Sequence, residues 1–311
     1  MRTHIVPRPP GAVVLAGLVA VTLVLLQATS AAPARGPGNA RRVARTAAPL
    51  APAALTIVKS TNATSLVQCL LGPAVNVSNA VLNAAPDAAG TFTGGGAIIG
   101  FDSGIILSTG DVDSLYGPND LEDTSTENLW PGDADLDTLV APQTTYDAAI
   151  LEFDFECTSG AQINIQFVFA SEEYNEFVGS PFNDVFAVYL DGNRAANNIA
   201  LTSGACAATP GLPIAVNNVN CGNPLLPDAP VNCGCFVDNT TASLDTEADG
   251  LTRNFLATAN VGPGTHHMKI AIADTGDDIY DANVFLRCGS LACGIVPARP
   301  ATWGEIKARY R

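Results

Sequence analysis

Between Ile163 and Leu190 the chain reads INIQFVFASEEYNEFVGSPFNDVFAVYL, two apolar runs joined by an acid-rich loop. Ile163, Ile165, Phe167 and Phe169 fall on alternate positions, the period of a strand with one buried face. The second run covers Asp184 to Leu190, and the connection carries Glu172, Glu173, Glu176 and Asp184. A polar loop between two such strands lies at the end of a sheet, where binding chemistry collects. This segment therefore constrains the fold class and offers a candidate site.

The same period recurs along the chain. Ala148 to Cys157 alternates Ile150, Glu152, Asp154 and Glu156 against Leu151, Phe153, Phe155 and Cys157. Further strands are expected at 252–258, 266–273 and 282–288, and two short apolar runs between Ile98 and Thr109 are punctuated by Gly100 and Gly104. A short helix is expected over Ser65 to Leu71, and no other helix-length amphipathic segment appears before the last residues. Many short strands with Gly, Pro and Asn turns specify an all-β chain, a single antiparallel β-sandwich of the jelly-roll kind with long acidic loops.

The ends differ in composition. Arg2, His4 and Arg8 precede an apolar run from Gly11 to Leu26, and Ala28-Thr-Ser-Ala31 supplies small residues for cleavage. That run is shorter than the ~20 residues a spanning helix needs, so residues 1–31 read as a cleaved export signal. Residues 32–54, rich in Ala and Pro, read as a disordered linker. The sandwich is expected over 55–292, and the tail 293–311 carries a short basic helix with Trp303, Ile306 and Tyr310 on one side. The tail has no LPxTG motif and no membrane-spanning run. Export to the cell surface or the medium follows as an expectation.

Charge is placed unevenly. The chain holds 30 acidic residues, and between Asp87 and Asp281 only Arg194, Arg253 and Lys269 oppose 29 of them. Such a surface repels phosphate backbones and argues against nucleic-acid partners. Three acidic groups stand out: Asp133, Asp135 and Asp137; Glu172, Glu173 and Asp184; and Asp274, Asp277, Asp278 and Asp281. The first is no EF-hand, having Thr138 where the turn glycine belongs and Thr144 at the closing glutamate. If the three groups meet at one end of the sandwich, six to eight oxygens suffice for Ca²⁺, the cofactor expected here. Independently solvated loop carboxylates are the alternative.

All eight cysteines follow the signal, and an even number in an exported chain favours disulfides. Cys288 and Cys293 bracket four residues and are expected to close a small loop. Cys206, Cys221, Cys233 and Cys235 are expected to staple the Pro- and Asn-rich region internally. A four-thiolate zinc site is disfavoured by the lack of paired C-x-x-C knuckles.

Catalysis has little support. His266 and His267 are adjacent in a strand and point to opposite faces, and no G-x-S-x-G or H-E-x-x-H occurs. Glu172 or Glu173 with Asp184 are the suspects for a carboxylate-dependent glycan hydrolase. Aromatics near the acidic loops, Tyr174, Phe177, Phe182 and Tyr280, are instead candidates for a ligand platform, with Phe182 the one expected to be a core or loop-packing residue.

At FASEEYNEFVGSPFNDVFAVYLDG the chain resembles the bacterial choice-of-anchor L domain. The resemblance extends to GGGAIIGFDSGIILSTG (94–110), PGDADLDTL (131–139), TYDAAILEFDF (145–155), LDTEADGL (244–251), HMKIAIAD (267–274) and DANVFL (281–286). It implies a surface-protein module joined in different members to different C-terminal anchors. The reading is thus an exported, non-catalytic binding or adhesion module, calcium-stabilised, for a surface glycan or protein ligand; a structural envelope or matrix component is the alternative.

Overall fold

Thirteen strands and two short α-helices are arranged in the computed structural model, which describes residues 55–72, 75–121, 123–158, 160–226 and 229–293. The expected signal, the linker and the tail beyond 293 lie outside the described residues. One sheet contains β1 (Thr56–Lys59), β3 (Ala89–Thr93), β4 (Ser103–Ser108), β13 (Ala282–Arg287), β6 (Ala161–Ser171), β10 (Gly250–Thr252) and β9 (Phe236–Asp238) in that order. Its eighth strand, β11 (Phe255–Val261), pairs with the first part of β6. The second sheet runs β2 (Asn76–Asn83), β5 (Thr145–Cys157), β12 (Gly264–Thr275), β7 (Val185–Leu190), β8 (Ile214–Ala215). All strand pairings are antiparallel, and the two sheets form a sandwich.

Alternation builds the core. Leu151, Phe153 and Phe155 of β5, Ile163, Ile165, Phe167 and Phe169 of β6, and Met268, Ile270 and Ile272 of β12 interleave between the sheets. Helix α1 (Ala63–Leu70) closes this core with Leu66, Val67 and Leu70, and Asn62 caps it by accepting from Ser65 N at 3.0 Å.

Some strands are buried on both faces and so read as continuous apolar runs. On the eight-stranded sheet, Ile106, Val168, Ala170, Leu251 and Phe285 are covered by Ile98, Ile99 and Phe101. On the five-stranded sheet, Ala148, Ile150, Val185, Ala187 and Ala271 are covered by Leu136 and Val140 of helix α2 (Ala134–Val140). Sequence periodicity misses α2, because seven residues give too short a pattern beside three aspartates. It also misses β1, β2 and β3, whose sequences mix small and polar residues.

All eight cysteines pair, as Cys69–Cys288, Cys157–Cys293, Cys206–Cys235 and Cys221–Cys233. The last two staple the Asn-rich region as expected. The expected Cys288–Cys293 loop does not form. Cys288 leaves β13 beside the end of α1, where Gly289 N donates to Cys69 O, and Cys293 reaches the end of β5. Each cysteine therefore lies against a distant partner and away from the other. Bridges spanning 219 and 136 residues remove more unfolded-chain entropy than a five-residue loop would.

Three connections cross from one sheet to the other at the same end: β4 to β5, β6 to β7, and β12 to β13. Register fixes this, since Ser108 of β4 faces Asn283, Thr145 of β5 faces Thr275, and Val185 of β7 faces Ala273.

Candidate functional site

At that end the inward-facing positions of the core strands change from apolar to polar. Continuing the parity of Ile105 and Leu107 gives Thr109, and that of Phe167 and Phe169 gives Ser171 and Glu173, while Asp147 is buried at a bulge in β5 between Tyr146 and Ala149. In the same way Phe186 and Val188 lead to Asp184, and Ile270 and Ile272 lead to Asp274. Glu173, Asp184 and Asp274 are at most 1% exposed. Charged groups are almost never buried so completely unless paired.

Their partners are few. Ser171 Oγ donates to Asp184 Oδ2 at 2.8 Å, a bond between the two sheets, and Thr275 N donates to Asp184 Oδ1 at 3.3 Å. Asp184 N in turn donates to Glu173 Oε2 at 3.2 Å. Asp281, on the β12–β13 crossing, accepts from Thr126 N at 2.8 Å. Glu173 Oε1, Asp274 Oδ1 and Asp281 Oδ2 are buried with no hydrogen-bond partner. Among the described residues no Lys, Arg or His forms an ion pair with these four acids.

The electrostatic consequence is uniform in direction. Burial, then the charge of Asp184, pushes the Glu173 carboxyl well above the usual carboxylate range. Burial pushes Asp184 up as well, against the bonds from Ser171 and Thr275. Asp274 rises through burial and the charge of Asp184. Burial raises Asp281 to about 7, assisted by the charges of Asp147 and Asp111. Asp147 rises more modestly, because Trp130 N and Asn128 N donate to its two oxygens.

Two of the three acidic groups anticipated from sequence therefore meet. Glu172, Glu173 and Asp184 adjoin Asp274 and Asp281, while Asp277 and Asp278 stand on the crossing, partly exposed. The expectation that Asp133, Asp135 and Asp137 complete the same site is corrected. Asp133 Oδ1 caps α2 by accepting from Asp135 N and Leu136 N, and Lys269 Nζ donates to Asp133 Oδ2 at 2.7 Å and Asp135 Oδ2 at 2.5 Å. Asp137 Oδ1 accepts from Thr145 N and Oγ1. These acids lie on the outer face of the five-stranded sheet and already have partners. Burial tends to lower the Lys269 ammonium, but Asp133 and Asp135 outweigh it and hold the pKa above its ordinary value.

The aromatic expectation divides in the same way. Phe177 meets Phe182 edge-on (5.6 Å between centroids) and lies tilted against Tyr280 (5.1 Å), and all three are half-buried at the loop end. Tyr174 is fully buried against Phe236 at 4.7 Å and is corrected from platform to core, because a ring packed under the loop meets no surface ligand. The suspected hydrolytic pair is equally out of reach: Glu172, Glu173 and Asp184 are at most 2% exposed, so a polysaccharide cannot lie against them.

Sequence reasoning missed Asp147, Thr109, Ser171 and Gly110. Thr109 and Ser171 were findable by carrying the alternation past the last apolar residue of each strand, whereas a bulge in β5 interrupts it before Asp147. Gly110 has no such signal. It is needed because a Cβ there would fall on the Asp281 carboxylate.

A disulfide-braced β-sandwich with sheet-crossing acidic loops at one end defines the class. The profile of the Choice-of-anchor L domain matches residues 56–292, and the chain belongs to that family. No curated protein and no solved structure matches the chain.

Proposed function

We propose that this protein is an exported, surface-associated binding module for a glycan or protein ligand, with its binding face at the loop end of the sandwich. The half-exposed cluster Phe177–Phe182–Tyr280 carries the reading. Packed rings on crossings anchored by buried bonds give a preformed apolar surface with little entropy to lose on contact. Membership of the Choice-of-anchor L family and four disulfides support action outside the reducing cytosol. Among the described residues no helix is long and apolar enough to cross a membrane.

The test is a glycan array and a panel of matrix proteins probed with wild-type protein and with a Phe177→Ala/Tyr280→Ala double variant. Retention of one ligand class, weakened at least about tenfold in the variant, is expected, since interface aromatics commonly contribute 2 kcal/mol or more. Equal binding by both proteins would move the site elsewhere. Absence of any ligand, with concentration-dependent self-assembly in scattering, would favour the structural envelope or matrix role.

A further inference from the structure

The buried acids raise a question that the aromatic cluster does not answer. Glu173 Oε1, Asp274 Oδ1 and Asp281 Oδ2 are three buried oxygens without donors, contributed by two sheet-crossing segments and the end of β12. A polar group left unsatisfied in a buried position costs about 1–3 kcal/mol, and more for a carboxylate. An independent group points to the same place. The Tyr174 hydroxyl is buried and unpartnered, and it lies close enough to Asp184 and Glu173 for their charges to act on it. Ser171 and Thr275 already hold Asp184 in position from two strands. Gly110 is kept free of a side chain so that Asp281 can approach.

We propose that the carboxyls of Glu173, Asp184, Asp274 and Asp281 bind one calcium-class divalent cation between the sheets, tying the β6–β7 and β12–β13 crossings together. The donors are all oxygen, with no thiolate or imidazole, which selects a hard cation over zinc or copper. Calcium fits better than magnesium, because it accepts irregular sets of six to eight oxygens and gives up its water, whereas magnesium demands an octahedron and keeps water. Among the described residues no three His, Cys, Asp or Glu side chains are grouped so that they could hold a metal ion as they stand. Binding therefore includes rotation of carboxyls that have free oxygens to turn, and the Tyr174 hydroxyl gains a charged neighbourhood it can donate to. Asp133, Asp135 and Asp137 take no part, since Lys269, Thr145 and the helix cap occupy them. This inference does not depend on the ligand proposed above: a protein that binds no glycan can still hold the ion.

The experiment is thermal unfolding and isothermal titration calorimetry of the purified, chelator-treated full chain near pH 7.5, with calcium chloride and separately magnesium chloride. At calcium about 100 times its Kd, Tm is expected to rise by roughly 5–10 °C, with little response to magnesium. Asp274→Asn and Glu173→Gln should each abolish most of that shift while folding normally in chelator, because each replaces a carboxyl that burial disfavours as an anion by a neutral amide of the same shape. Asp135→Asn should lower the starting Tm yet keep the full calcium increment. No calcium shift in the wild type, with no heat in calorimetry, overturns the proposal. An increment that survives in both Asp274→Asn and Glu173→Gln, or disappears in Asp135→Asn, overturns it equally, because the ion then sits elsewhere.

Discussion

The Asp133–Asp137 segment and the buried layer of Glu173, Asp184, Asp274 and Asp281 are both dense in carboxylates, and they are built in opposite ways. The first lies on the outside of the five-stranded sheet, where each acid has a donor: a helix N-terminus, the Lys269 ammonium or the Thr145 amide and hydroxyl. The second lies between the sheets, with three carboxylate oxygens unpartnered and its pKa values displaced upward. Acid density in the sequence is therefore a poor guide to a site. What separates the two regions is whether the fold brings donors to the acids, and the layer with the stronger claim as a site is the one left short of them.

The largest effect expected from probing this contrast is at Gly110. Gly110→Ala would place a Cβ on the Asp281 carboxylate, and with little room to shift we expect destabilisation of more than about 3 kcal/mol in denaturant unfolding. Gly96→Ala is the control, since its nearest neighbour is Asp102 Oδ1 at 3.8 Å, and should be close to neutral. Equal effects at both positions would mean that the approach to Asp281 is unimportant.

Next comes Lys269→Met, which strands Asp133 and Asp135 without their cation. The expected loss is about 3 kcal/mol, at the low end for a broken buried pair because Asp135 is partly exposed. Combining it with Asp133→Asn and Asp135→Asn should recover part of the loss. If Lys269→Met is silent, the outer acids are no better partnered than the inner ones and the contrast fails.

The smallest effect is a pH dependence of opposite character in the buried layer. Its acids have folded pKa values raised above their unfolded values, so the folded state holds more protons. For Asp281 that contribution is most favourable below the unfolded pKa of 3.8 and is lost as pH rises through about 7, and Glu173, Asp184 and Asp274 are shifted in the same direction. Asp281 is faced by Asp147, Asp111, Asp184 and Asp274, with Thr126 N as its donor. In chelator, stability should fall between pH 5 and 8, by about 2–3 kcal/mol from Asp281 alone. Asp274→Asn should flatten that fall and be the more stable protein at pH 8 by about 1 kcal/mol, opposite in sign to Lys269→Met. Stability in chelator that rises over this range would show that the buried carboxyls are satisfied after all.

Much of this was legible in the chain itself. Period-two alternation located β5, β6 and β12, because a strand with one face in a core must alternate, and continuous apolar runs located β7 and β13, which are buried on both faces. The helix expected over Ser65 to Leu71 is present as α1 (Ala63–Leu70), beginning two residues earlier behind the Asn62 cap. Two of the acidic groups were correctly matched as neighbours, since strands ending in acid and joined by short crossings must present those acids at one end. The match failed for Asp133–Asp137, because a seven-residue helix has too few turns to declare itself, and because nothing local announces Lys269, 136 residues away. Tyr174 and Phe177 are three residues apart in one loop, yet only Phe177 reaches the surface.

By itself, then, the sequence determined the all-β class, the family and a paired set of cysteines. These follow from local period, from residue identities and from the parity of the cysteine count. Only the tertiary structure decided which cysteines meet, which aromatics remain outside and which carboxylates are left without donors. Those outcomes depend on the direction of each sheet-to-sheet crossing and on what covers the outer faces. Both are set by packing between segments far apart in the chain, so no local pattern contains them.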